Sequence, residues 1–251
     1  MSRTRVDLHV KVLDGAVARR AKARGIDVLV YAPHFTRLPT IRQTARRYSD
    51  DDLLVVPARE VFTGSWRDRK HVLAVGISDP IPDFIGLEET MADLADRDAA
   101  TLVPHPDFLT VSLSRPELER YRDVVDGVEI YNPKHLPPHN RTARRLAGDL
   151  DLPAFGSSYA HLPGTVGEVW TEFDTAIETA DDLVAALRSG AERTVKRRSG
   201  LSHQARCAVE FAHLGYENTY AKIDRVLLSG MEPTHPDHIA YDGSFDDASV
   251  Y

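Results

Sequence analysis

Eight short apolar runs recur between residues 5 and 173, and they alternate with stretches that have helical character. The runs are "RVDLHV", "IDVLVYA", "DLLVVPARE", "HVLAVGI", "AATLVPH", "DGVEIYN", "LPAFGSS" and "VGEVWTEF". Such alternation is typical of successive βα units around a largely parallel sheet. Because eight runs is close to the strand number of a closed barrel, the pattern predicts a barrel-like α/β domain.

The segments between the runs carry helix-start signals. Asp14, Ser114 and Thr179 each stand just before a helical stretch as a candidate N-cap, and Glu117 lies three residues after Ser114, as in a capping box. Each of the first helices links one predicted strand to the next. These signals support the alternation of strands and helices.

The pattern changes at about residue 191. A basic stretch, "ERTVKRRSG", is followed by two predicted helices, "LSHQARCAVEFAHLG" and "ENTYAKIDRVLLSG", and by a polar tail rich in turn residues. We therefore expect one barrel domain over residues 1–190. Residues 191–251 are expected to form a C-terminal helical extension with a polar tail, packed on the barrel.

Composition limits the function. The chain of 251 residues has 38 acidic and 31 basic side chains and a net charge of −7, which argues against binding nucleic acid through its overall field. The single cysteine, Cys207, cannot form an internal disulfide. No apolar stretch of about twenty residues and no signal-like start is present, so a cytoplasmic protein without membrane contact is expected.

Four histidines fall at or just past the carboxyl ends of predicted strands: His9, His34, His105 and His161. Glu60 does the same for the "LLVVPARE" strand. In a barrel of parallel strands these ends converge on one face, and imidazole and carboxylate are common ligands of zinc, manganese and iron. A lone strand-end histidine is more often a hydrogen-bonded surface or second-layer residue. Four of them with a glutamate on successive strands favour a metal site.

Seven segments in order resemble the motifs of the polymerase and histidinol phosphatase (PHP) family of metal-dependent phosphoesterases. They are "DLHVKVLDG", "YAPHF", "VVPAREVF", "HVLAVGI", "LVPHP", "VEIYN" and "GSSYAHLPGTVG", and "TADDLVAALRSG" resembles the helix that commonly closes a PHP domain. The resemblance covers about residues 5–190. It implies a distorted (β/α)7 TIM-like barrel with up to three metal ions at the strand ends, and hydrolysis of phosphoesters.

The resemblance also implies two metal positions whose ligand residues are all present. One would be held by a bridging carboxylate and two imidazoles: Glu60, His71 and His105. The other would be held by Asp14, His34 and His161, although the spacing from His9 to Asp14 is two residues shorter than is usual in the family.

At the third metal position the sequence departs from the family. Only His9 and Glu60 remain, because Lys11 replaces the second histidine of H-x-H and Tyr159 replaces the aspartate of "SDAH". An ammonium has no lone pair to give a metal and would repel a cation by several kcal/mol at ~4 Å. We therefore predict that this third position is empty. The protein is then expected to hold one or two zinc, manganese or iron ions rather than three.

Both replacing side chains have candidate roles. The Lys11 ammonium could pair with Glu60 or neutralise a phosphate oxygen of the substrate. Tyr159 could be a weak ligand or a proton donor, but a ring that fills the emptied position is the favoured interpretation.

The expected function is a metal-dependent phosphoesterase, a hydrolase that cleaves a small phosphomonoester with a metal-activated hydroxide. Its candidate catalytic residues are His161, His34 and Lys11. Its candidate phosphate-binding residues are Arg59, Lys134 and Arg37. His135 and His139 either line the pocket or belong to a plain loop.

Two alternatives stay open. The chain could be a catalytically impaired PHP-fold protein that binds a phosphorylated ligand or a partner. An RNA-binding scaffold like the RNase P protein subunit is less favoured, because the arginine pairs are dispersed and the net charge is negative. The sequence predicts neither the substrate nor the oligomeric state.

Overall fold

The computed structural model describes residues 3–64, 68–107, 111–216 and 233–245. The strands in these ranges are β1 (Thr4–Val10), β2 (Val28–Tyr31), β3 (Leu54–Thr63), β4 (Lys70–Val75), β5 (Ala100–Val103), β6 (Gly127–Tyr131), β7 (Ala154–Gly156), β8 (Val169–Phe173) and β9 (Arg193–Arg197). The helices are α1 (Gly15–Ala23), α2 (Leu38–Tyr48), α3 (Leu87–Ala95), α4 (Arg115–Arg120), α5 (Pro137–Asp149), α6 (Ala180–Arg188) and α7 (Leu201–Tyr216). None of these helices combines the length and the apolar character that a membrane crossing requires.

The strands form one sheet in the order β7-β6-β5-β4-β3-β2-β1-β8-β9. β1–β2, β2–β3, β5–β6 and β6–β7 are parallel, while β3–β4, β4–β5, β1–β8 and β8–β9 are antiparallel. The predicted α/β barrel is confirmed, but the largely parallel sheet is wrong. Only residues 64–69 separate β3 from β4, too few for the crossover that a parallel pair needs.

Side chains and one isolated bridge bring the two ends of the sheet together. Val10 pairs with Ala160. The Thr171 hydroxyl of β8 donates to the Gly156 carbonyl at 2.9 Å and accepts from the Gly156 amide at 3.0 Å. A Cβ on Gly156 would lie 2.5 Å from Val195, so this close approach requires glycine. The sheet is therefore nearly closed into a barrel.

One hydrophobic cluster takes alternate residues from seven strands and fills the barrel interior. On β3, Val56 and Ala58 belong to it, so the strand alternation also directs Glu60 inward and Arg59 outward. α6 adds Leu183 and Leu187 to the same cluster, near the amino ends of the parallel strands. The interior is thus apolar at one end, and the candidate site residues lie at the other.

The predicted helix starts are confirmed. Asp14 caps α1, and Ser114 and Thr179 form capping boxes at α4 and α6. A further helix begins at Pro137, where a plain loop was one of the two sequence-based alternatives. Proline is compatible with the first position of a helix.

The expected C-terminal extension begins as a strand of the sheet. β9 pairs with β8, and α7 follows it in the region where a helix was predicted. The second predicted helix, at residues 217–230, lies outside the described residues. The division at residue 190 stays a prediction.

Replacement of Thr171 by valine tests the barrel closure. Thr171→Val keeps the side-chain shape and leaves the buried amide and carbonyl of Gly156 without their partner, so we expect a loss of about 1–3 kcal/mol for each group. Urea unfolding measures this loss. The exposed Thr194→Val on β9 is the control and should change stability by less than about 0.5 kcal/mol. Equal effects of the two variants would contradict the proposed closure.

Candidate metal centre

Glu60 lies at the centre of the candidate site and is fully buried. Its Oε1 faces three imidazole nitrogens, with His71 Nδ1 at 3.4 Å, His105 Nε2 at 3.5 Å and His9 Nε2 at 3.7 Å. Within the described part of the chain, Glu60 Oε1 and both ring nitrogens of His9 and of His71 make no hydrogen bond. Since buried polar atoms normally have partners, these facing atoms are suited to a cation. Glu60, His71 and His105 offer ligand atoms within 4.8 Å of one another.

The other carboxylate oxygen of Glu60 is occupied by protein groups. Lys11 Nζ lies 2.5 Å from Oε2 and also donates to the Ala32 carbonyl at 2.6 Å, while His34 Nε2 lies 2.8 Å from Oε2. The two oxygens of Glu60 therefore divide the site into a side of imidazoles and a side that already has an ammonium.

The electrostatics give an ionised carboxylate among neutral imidazoles. Burial by itself raises the pKa of Glu60, but the Lys11 ammonium and the imidazoles hold this pKa well below its usual range. Burial lowers the pKa of His34 to about 3, with the Lys11 charge adding to the effect, and it lowers the pKa of His71 to about 4. Neutral imidazole is the form that binds metal ions.

The strand directions explain why these side chains meet. His34 follows β2 and His105 follows β5, so both lie at carboxyl ends, as predicted from the sequence. His71 is the second residue of β4, yet it joins them because β4 runs antiparallel to β3, with His71 opposite Phe62. A register shift between Asp7 and Val10 interrupts the alternation of β1 around His9.

His105 is held by groups that the sequence analysis missed. Its Nδ1 lies 3.0 Å from Ser112 Oγ, and its amide donates to Glu129 Oε2 at 2.9 Å. Glu129 also accepts from Ser157 Oγ at 2.6 Å and from Asn132 Nδ2 at 3.0 Å. The bond to Ser112 leaves His105 Nε2 directed at Glu60. The sequence does contain a sign of this role, because Glu129 is a carboxylate within the apolar run "GVEIY".

The second predicted metal position is only partly assembled. The His161 ring lies 5.3 Å from the His34 ring, but its Nδ1 lies 2.6 Å from Lys134 Nζ. Asp14 accepts from the amides of residues 16 and 17 as the N-cap of α1. Asp14 therefore serves a helix start, and the group of close ligand atoms found in the described residues does not include it.

Tyr159 fills the corner between two lysines. Its buried ring lies 4.6 Å from the His9 ring, with Lys11 Nζ 5.7 Å and Lys134 Nζ 4.7 Å from its centroid. The backbone of Tyr159 has φ of 44°, in the left-handed region that is costly for a bulky residue. Strain of this kind is concentrated at functional sites.

Of the three predicted phosphate-binding residues, the structure brings one to the site. Lys134 is buried beside His161. Arg59 is buried on the outward side of β3, where it donates to Asp83 Oδ2 and to the Thr36 carbonyl, each at 2.8 Å. Arg37 is exposed at the start of α2.

The turn that presents Lys134 is fixed by α5. Asn140 of α5 accepts from the Asn132 amide at 3.0 Å, and Asn132 accepts from the Lys134 amide at 2.9 Å. His135, in the same turn, is buried with its ring 6.1 Å from the His105 ring, and the His139 ring lies 6.1 Å from that of His135. The residues around Pro137 thus form a helix start that borders the site.

Comparison with known proteins bears on the fold and on one segment. Residues 137–192 match a family model described as PHP-associated. No curated protein matches the sequence.

Solved structures with the same fold include PsfC from Pseudomonas syringae, which is 20% identical with a TM-score of 0.66 over 87% of this chain and 100% of that one. A Bifidobacterium adolescentis protein assigned as a metal-dependent phosphoesterase is 12% identical, with a TM-score of 0.52 over 74% of this chain and 96% of that one. The lesion-specific endonuclease PfuEndoQ from Pyrococcus furiosus is 15% identical, with a TM-score of 0.56 over 77% of this chain and 58% of that one. At these identities the likeness is one of fold.

A double-mutant cycle tests the buried ion pair. Lys11→Met and Glu60→Gln each leave one buried charge without its partner, so each should cost about 3–5 kcal/mol of stability in chelator-treated protein. The double variant should cost clearly less than the sum of the two. Urea unfolding gives the four free energies.

The exposed Lys196→Met is the control for loss of a lysine and should be close to neutral. Strictly additive costs for Lys11→Met and Glu60→Gln would show that the two charges do not stabilise each other.

Proposed function

We propose that this chain, a PHP-domain protein by its ordered motifs, its PHP-associated segment and its fold, is a metal-dependent phosphoesterase that hydrolyses a small phosphomonoester. The observation that carries the proposal is the buried group of Glu60, His71 and His105. These residues turn a carboxylate oxygen and imidazole nitrogens toward one another without hydrogen bonds between them. A divalent cation would give these facing atoms the partner that buried polar atoms normally have.

Glu60 Oε1, His71 and His105 would hold a divalent ion, with His9 beside them. The mixture of nitrogen and oxygen donors fits zinc, manganese or iron. Such an ion supplies two effects: it lowers the pKa of a bound water and it polarises phosphoryl oxygens. We propose one or two ions rather than three, because Lys11 provides a fixed positive charge beside Glu60 Oε2.

Charge balance favours a monoester over a diester. The charges of Lys11 and Glu60 cancel, so a divalent ion would leave this part of the site with a net charge of about +2. A phosphomonoester carries about −1.5 to −2 near neutral pH, and a diester carries only one negative charge. The site thus gains more by binding the dianion of a monoester.

The chain's own residues would bind and orient that phosphate. The buried Lys134 ammonium lies 2.6 Å from His161 Nδ1, and we propose that it contacts a phosphoryl oxygen as a point charge. His34 and His161 were predicted as catalytic residues, and burial lowers the pKa of both, which favours the neutral imidazole over a protonated acid. We propose that they act as neutral ligands or acceptors at the rim of the site.

A second candidate is a PHP-fold protein that binds a phosphorylated ligand without hydrolysing it. The observation that favours it is the Lys11–Glu60 pair, which already neutralises the carboxylate that faces the imidazoles of His9, His71 and His105 and weakens the attraction for a cation. Because an endonuclease has the same fold, nucleic acid remains a possible class of ligand for this second candidate.

Metal analysis and hydrolysis distinguish these candidates. Purified protein loaded with Mn²⁺ should hold at least one ion per chain and cleave p-nitrophenyl phosphate faster than bis(p-nitrophenyl) phosphate, and chelation should abolish the activity. His105→Ala should lose the ion and fall to the chelated rate, because it removes one ligand of the close group.

His238→Ala is the matched control, since His238 caps a short 3₁₀ turn and is not part of the close group of ligand atoms. Less than one ion per chain together with chelator-insensitive rates would rule out the phosphoesterase.

Restoring the family pattern tests the role of the two replaced positions. Lys11→His combined with Tyr159→Asp should gain about one ion per chain, because it exchanges a cation and a ring for two ligands beside His9 and Glu60. Lys11→Met serves as the control that removes the charge without adding a ligand, and it should not gain an ion. Elemental analysis after dialysis measures both. An unchanged ion count in the double variant would contradict the prediction of a vacated position.

A further inference from the structure

α7 docks on the barrel through a polar face. His203 and Glu210, seven residues apart on the helix, are buried, whereas Leu201, Val209 and Phe211 are exposed. A helix that packed through the hydrophobic effect would show the reverse arrangement. Among the α7 side chains that the structure describes, polar groups therefore make the most deeply buried contacts with the barrel.

Glu210 makes those contacts with the loop that carries His161. It is fully buried, and its Oε1 accepts from the His161 amide at 3.1 Å, from the Leu162 amide at 3.0 Å and from the Thr165 hydroxyl. The two amides lie just before the 3₁₀ turn Pro163–Thr165, and Thr165 is its last residue. One carboxylate oxygen from α7 thus fixes the backbone on which the His161 ring is mounted.

The second oxygen of Glu210 faces Lys134. Lys134 Nζ lies 3.5 Å from Glu210 Oε2 and 2.6 Å from His161 Nδ1, and both charged groups are almost completely buried. A buried ammonium needs an opposite charge, because desolvation costs several kcal/mol for an isolated ion. Glu210 offers such a charge, so this one carboxylate contacts both the backbone of His161 and the Lys134 ammonium.

We infer that Glu210 is a positioning residue of the site: α7 uses this one carboxylate to hold both the His161 loop and the Lys134 ammonium in place. The inference rests on the proposed function only for its metal-binding consequence. It makes the region after residue 200 a part of the site, beyond the segment 137–192 that matches the PHP-associated model.

Glu168 provides a matched control. It is also fully buried and also joins α7 to the barrel, with Arg24 and Arg206 at 3.0 Å and His203 Nδ1 at 2.9 Å. It touches neither His161 nor Lys134 in these contacts. A variant at Glu168 therefore reports what a general loosening of α7 does to the site.

Amide hydrogen exchange tests the positioning without any metal. In chelator-treated protein, Glu210→Ala should speed exchange of the His161 and Leu162 amides by at least about tenfold, because their acceptor is gone. Glu210→Gln keeps an acceptor oxygen, so the exchange rates of these amides should stay closer to those of the wild type. This variant also provides a test if Glu210→Ala does not fold. Glu168→Gln should not change them. Unchanged exchange in Glu210→Ala, or equal acceleration in Glu168→Gln, would overturn the inference.

A competition assay with a chelator then measures Mn²⁺ affinity in the same proteins. Loss of a group that orients a ligand typically weakens metal binding about 10- to 100-fold, so Glu210→Ala should show a loss in this range that Glu168→Gln lacks. Equal affinities of the two variants would overturn the effect on the metal. If the wild type itself binds no Mn²⁺, the proposed function fails, and the exchange experiment alone decides the role of Glu210.

Discussion

The rest of the site depends on the carboxylate of Glu60, a buried charge at one end of a barrel whose other end is filled with apolar side chains. A buried carboxylate of this kind is tolerated only when an opposite charge and hydrogen-bond donors surround it. Lys11 supplies the charge at 2.5 Å, and His34 contacts the same oxygen. The other oxygen is left to the imidazoles, so a single side chain produces both a neutralised side and a side open to a cation.

A second buried pair of opposite charges, Lys134 and Glu210, lies beside His161. The four charges form two opposite pairs, and both ammoniums lie near the Tyr159 ring, 5.7 and 4.7 Å from its centroid. The protein part of the site is thus close to neutral, and any divalent ion would make it attractive to an anion. The proposed preference for a doubly charged phosphate would then rest on charge balance and would not require a large basic surface on this acidic protein.

Strand-end position predicted much of this site, because carboxyl ends of parallel strands converge: His9, His34, His105 and Glu60 do meet. His71 was predicted only from the family resemblance. It lies near the start of β4 and reaches the site because β4 runs antiparallel to β3, which the sequence pattern did not indicate. Alternation along β3 could have shown that Arg59 points away from Glu60. Glu129 and Glu210 lie in apolar segments, but their partners come from distant parts of the chain, and sequence spacing does not contain that information.

A lysine in place of a metal ligand changes how folding and metal binding are linked. Where carboxylate and imidazole ligands converge with no cation of their own, much of the metal's binding energy is spent on holding them together, and removal of the ion unfolds or loosens the site. Here the Glu60 charge is compensated by a group that no chelator removes, and Ala32 fixes that group from the other side. The barrel can therefore form its site before any ion binds. Less of the binding energy of an ion at this site would then go into bringing its ligands together.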